Sequence, residues 1–225
     1  MEAARPKEAA GNAWAGYVVP MALFMALTMA ESSFPAAAIH LYFLKALLVT
    51  AALAAFRAPL RDIRFDSRVV LPAVAVGILV FVEWIVVDPR TPHFAFLGQR
   101  AATNPFTSVP DPLQRAAFLA VRFYGLVLMV PVMEELFWRS FLLRWITKPE
   151  FEDLPLGAYN LTAFAAVALL FGFAHQEWLA AILCACAYGM LLRRTHSLFA
   201  CIVAHAITNL ALGLYILSTG QWHYW

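Results

Sequence analysis

AAFLAVRFYGLVLMVPVMEELFWRSFLLRWI, residues 116–146, decides how the rest of the chain is read. It is apolar over most of its length, yet Arg122, Glu134, Glu135 and Arg139 fall inside the run. A helix needs about 20 apolar residues to cross a bilayer, so this stretch is too long for one simple span. Pro131 sits near its middle, where it removes a backbone donor and favours a kink. The stretch is therefore one long bent helix or two shorter pieces. Further apolar windows run at about 14–30, 37–56, 69–87, 160–175, 177–192 and 197–218. In lipid every backbone polar group must be paired internally, which makes such runs helices. The expected fold is an all-α, polytopic transmembrane helical bundle with seven or eight spans, forming one integral membrane domain over residues 1–225.

Composition points the same way. Of 225 residues, 63% are hydrophobic and 13% charged, whereas soluble domains carry about a quarter charged residues. Lipid must then be the main solvent. A net charge of +2 gives no reason to expect nucleic acid as a partner. Cys184, Cys186 and Cys201 lie in apolar stretches, and C-x-C turns its two thiols about 200° apart on a helix, so small core residues are expected rather than a redox or metal pair. The N-terminal run to Ala30 imitates a signal peptide, but Glu31 and Pro35 crowd the cleavage region, and a retained first span is expected.

Basic residues orient the bundle. Arg5, Lys7, Arg57, Arg61, Arg64, Arg68, Arg144, Lys148, Arg193 and Arg194 belong to loops of one parity, against Arg90, Arg100 and Arg115 on the other. The bias predicts a cytoplasmic N-terminus and, with seven spans, an external C-terminus. The longest loop, from Asp88 to Gln114, is broken by Pro89, Pro92, Pro105, Pro110 and Pro112 and reads as an irregular surface segment.

An ionisable side chain inside the bilayer costs several kcal/mol unless it is paired or hydrated, roughly 3 kcal/mol on insertion scales. Lys45, Glu83 and Arg122 stand alone in sequence and are read as paired or snorkelling. The others form a pattern. Glu135 and Arg139 are four apart with the acid first, the favoured order for an ion pair, and Glu134 points about 100° away from Glu135. Phe171 and His175 share one helix face, as do His205 and Asn209. Each histidine alone reads as a bundle residue. Together with Glu134 they supply a base, a proton relay and neutral donors, sufficient for hydrolysis of an amide by water. One tension remains: at 1.5 Å per residue, Glu134 lies about 15 Å from the helix end near Arg144, and His175 about 22 Å from Asn160.

E-E-x-x-x-R (Glu134, Glu135, Arg139), F-x-x-x-H (Phe171, His175) and H-x-x-x-N (His205, Asn209) follow one another on successive apolar segments, between about Arg122 and Leu214. This set resembles the CAAX-protease and bacteriocin-processing family of intramembrane endopeptidases, and the compact size is similar to its exosortase-associated subgroup. The resemblance implies that Glu134 and His175 activate a water, that His205 and Asn209 stabilise the oxyanion, and that Glu135, Arg139 and Phe171 support the motif. It implies no cofactor and no obligatory metal. Two histidines and a glutamate match the ligand count of a catalytic zinc, but H-E-x-x-H is missing. The implied partners are membrane lipids, a membrane-anchored peptide substrate, lipidated or not, and an exosortase-type sorting system; the implied location is a prokaryotic cell membrane. Competing readings are a catalytically silent scaffold or immunity factor, and a proton-coupled transporter; the latter would favour internal repeats, which the sequence lacks.

Overall fold

The computed structural model describes residues 13–97 and 104–225, so Arg5, Lys7 and Arg100 of the charge count lie outside the described residues. Seven long helices follow the seven apolar windows: α1 Ala15–Ser33, α2 Ala38–Ala55, α3 Val70–Val87, α4 Pro112–Thr147, α5 Leu161–Phe173, α6 Trp178–Thr195 and α7 Leu198–Thr219. No strand occurs among the described residues. Among the described residues five helices are long and apolar enough to cross a membrane: α1, α2, α3, α4 and α7. Leu47, Leu71, Leu79 and Leu128 are among many large apolar side chains on the outer surface, which suits a lipid solvent.

The window at 116–146 is one continuous helix. It begins earlier than its apolar run because Pro112 takes the first helical position and Asp111 caps it, accepting from Gln114 N at 2.8 Å. Two π-helical segments, Gly125–Met129 and Leu136–Leu142, interrupt its α geometry. The first prepares for Pro131. Val130 N–H bonds Gly125 O, five residues back, so in this register the next donor would be Pro131, which has no N–H. Leu126 O takes Asn209 Nδ2 instead, at 2.8 Å. An amide from α7 thus fills the gap that proline leaves in α4.

Opposite ends of the bundle have different chemistry. At one end, Arg61 pairs with Glu152, Lys148 with Asp153 at 2.7 Å, and Arg193 lies over Tyr159 at 3.9 Å. Arg144 belongs to this end but is not a loop charge; it is 6% exposed and donates to Leu154 O at 3.1 Å, to Ser140 Oγ at 2.7 Å and to Asp62 Oδ2 at 2.9 Å. Tyr17 Oη and Ser140 Oγ donate to the same Asp62 oxygen, tying α1, the 57–66 loop and α4 together. At the other end the long loop folds back on the bundle: Trp178 Nε1 donates to Pro92 O at 3.0 Å, and His93 meets Asp88 at 2.7 Å. Burial and the Asp88 carboxylate push the Tyr224 phenol above its usual range.

Helix α7 occupies the centre, packed on α3, α4 and α6. Gly77 of α3 permits the closest approach, since a Cβ there would sit 2.5 Å from Ala204 O. Its carbonyl accepts from Thr208 Oγ1 at 2.7 Å.

Candidate active site

Helix α5 is short. Its 13 residues reach about 20 Å at 1.5 Å per residue, so the turn 174–177 between α5 and α6 lies partway through the bundle. His175 sits in that turn, not on a helix. Helix α4, for its part, continues past Arg144 to Thr147, leaving Glu134 about 20 Å from that end. The depth mismatch between Glu134 and His175 expected from sequence therefore closes, through a longer α4 and an earlier turn.

Glu135 and Arg139 form the expected pair at 3.1 Å, with side-chain exposures of 0% and 1%. The same carboxylate oxygen, Glu135 Oε1, also meets His205 Nδ1 at 2.9 Å. A carboxylate already held by a guanidinium takes this bond from Nδ1–H, which leaves Nε2 as the basic nitrogen of His205. Arg139 is sandwiched between Phe171 at 4.6 Å and Tyr188 at 5.4 Å. Phe171 stacks on His175 with centroids 4.5 Å apart, and meets Trp138 edge-on at 5.5 Å. His175 Nδ1 donates to Phe171 O at 2.7 Å, so its basic nitrogen too is Nε2. Trp84 of α3 closes on the imidazole at 5.9 Å.

Glu134 is buried, and its Oε2 takes no hydrogen bond. It stands one turn before Trp138, on the helix side that leads through Phe171 to His175. Among the described residues no hydrogen bond joins Glu134 directly to either histidine, so the structure brings Glu135, Arg139 and His205 into contact and sets Glu134 beside them. Asn209 is anchored on Leu126 O, one helical turn beyond His205. An apolar groove of about 270 Å³ between α1 and α4, with Met21, Met25, Phe137, Trp138 and Ala174 in its walls, reaches the residue preceding His175.

Sequence reading missed Tyr188 and Thr208. Tyr188 Oη donates to Thr208 Oγ1 at 2.7 Å, and its ring lies 5.6 Å from that of His205. Neither residue carries charge, and each lies on a different helix, so no spacing announces them. Among the described residues no three of His, Cys, Asp and Glu gather closely enough to hold a metal ion.

Residues 116–211 match the family described as type II CAAX prenyl endopeptidase, Rce1-like. Over this segment, which is under half of the chain, the sequence is similar to that family. The matched segment starts in the second turn of α4, ends inside α7, and contains Glu134, Glu135, Arg139, Phe171, His175, Tyr188, His205 and Asn209. Gly77 and Trp84, which back it from α3, lie outside it. No curated protein and no solved structure shows significant similarity to the chain.

Proposed function

We propose that this chain is an intramembrane endopeptidase that cleaves membrane-anchored, lipidated peptides with a water activated by Glu134 and His175. The observation that carries this reading is the Glu135–His205 bond, which supports one histidine while the adjacent Glu134 keeps a buried carboxylate oxygen without a bond of its own.

In the proposed reaction Glu134, as carboxylate, takes a proton from water, and the oxygen attacks the scissile carbonyl carbon. His175 relays the proton from Nε2 to the leaving amine as the C–N bond breaks. General acid–base help of this kind is worth about 10²–10⁴ in rate. His205 donates to the oxyanion from Nε2 when its ring carries both protons, with Nδ1–H held on Glu135 Oε1. Asn209 uses one N–H on Leu126 O and offers the other. Oxyanion donors of this type contribute about 3–4 kcal/mol each. The groove between α1 and α4 gives an apolar substrate a lateral approach from lipid. The basic end faces the cytoplasm in this reading.

The test compares the membrane proteomes of cells carrying wild-type protein or Glu134→Gln at equal abundance. Peptides trimmed only in the wild-type cells support the proposal, and identical termini in both reject it.

A further inference from the structure

Arg122, on the membrane-crossing helix α4, meets no carboxylate among the described residues; Arg115 nearer the start of that helix meets none either, but it donates to Val109 O at 3.1 Å and Pro110 O at 3.4 Å. Lys45, the neighbour of Arg122 across Tyr42, bonds Glu31 Oε2 at 2.6 Å and Thr28 Oγ1 at 3.1 Å. Arg139 and Arg144 have Glu135 and Asp62. The guanidinium of Arg122 instead lies between two rings, with Cζ 4.6 Å from the Tyr42 centroid and 5.2 Å from that of Trp225. Its Nε is sealed without a partner, while the side chain as a whole is only half-buried. The rings leave the planar fork to be met edge-on, the geometry in which guanidinium binds an oxyanion bidentately.

Depth selects the oxyanion. Tyr42 lies four residues inside the start of α2 at Ala38, about 6 Å from that helix end, so Arg122 sits close to the bundle end opposite the basic loops. Trp222, Trp225, Phe106 and Phe123 pack together at this level, with Phe106–Trp222 and Phe123–Trp225 centroids 6.0 and 6.2 Å apart. Aromatic belts of this kind mark the headgroup zone. An uncompensated cation at that depth costs free energy unless an anion reaches it.

We propose that Arg122 is a binding site for the phosphate of a membrane phospholipid, held edge-on by the guanidinium between Tyr42 and Trp225. The site is separate from the Glu134 centre and does not depend on proteolysis.

The test is native mass spectrometry of the purified full chain in detergent, titrated with dioleoyl-phosphatidylglycerol, together with its thermal stability across the same titration. Wild type is expected to retain one phospholipid and to gain stability with added lipid. Arg122→Gln should bind at least about tenfold more weakly, the effect of losing one charge-assisted contact, and lose the thermal response; Arg122→Lys, which keeps the charge, should fall between. Dioleoylglycerol, with the same chains and no phosphate, should not substitute. Equal retention by wild type and Arg122→Gln, retention of dioleoylglycerol, or displacement of the lipid by millimolar inorganic phosphate or acetate would each overturn the proposal, the last by pointing to a soluble anion or a peptide carboxylate.

Discussion

Glu135 and His205, 70 residues apart in sequence, meet through a 2.9 Å contact between Oε1 and Nδ1 in a site shielded from solvent. The bond joins α4 to α7 and sets the imidazole tautomer. It also makes Glu135 Oε1 the shared hydrogen-bond acceptor of Arg139 and His205, so loss of Glu135 strands both.

Arg139→Met is expected to cost about 3–5 kcal/mol of stability, because it leaves Glu135 buried with its main cation gone. Adding Glu135→Gln to that variant should recover a large part of the loss, since the stranded charge goes too. Unfolding in mixed micelles measures both; strictly additive losses would contradict the pairing.

Asn209 and Pro131 are coupled through Leu126 O. Asn209→Ala should cost about 1–3 kcal/mol by orphaning that half-buried carbonyl. With Pro131→Ala in place, α4 has its own N–H to offer and the same truncation should cost clearly less. A double-mutant cycle on thermal stability reads the coupling, and a coupling near zero would dissociate the two residues.

Phe171→Leu removes both the stack on His175 and the ring over Arg139. The fold is expected to survive a change of modest volume, while kcat falls about tenfold or more and KM changes little, because a mispositioned base loses transition-state stabilisation. Steady-state kinetics on a membrane-anchored peptide decides it: a KM increase at constant kcat would place Phe171 in substrate binding.

Much of the bundle was legible in the sequence because lipid imposes a simple rule: the window at 69–87 became Val70–Val87 and that at 197–218 became Leu198–Thr219. The continuity of α4 was left open, since Pro131 argues for a break and only the amide of Asn209, from another helix, mends it. The pairing of Glu135 with Arg139 could be read from i, i+4 spacing. That Glu135 also holds His205 could not, because spacing reports the face of one helix and says nothing of which face its neighbour turns toward it. For the same reason Tyr188, Thr208 and Trp84 gave no signal. Phe171 and His175 come together as their spacing suggested, but through a stack and a Nδ1–carbonyl bond across a helix end.

If the mechanism uses no metal, a tight chelator should leave the activity of purified protein unchanged. Loss on chelation with recovery on added zinc would assign the two histidines and a glutamate to a metal.

The most direct measurement is turnover of a lipidated, membrane-anchored peptide by purified protein in liposomes, comparing wild type, Glu134→Gln and Glu135→Gln at matched insertion and thermal stability. Glu134→Gln should lose about 10²–10⁴ in kcat, with Glu135→Gln reduced by a smaller factor. Wild-type turnover in Glu134→Gln would contradict the account.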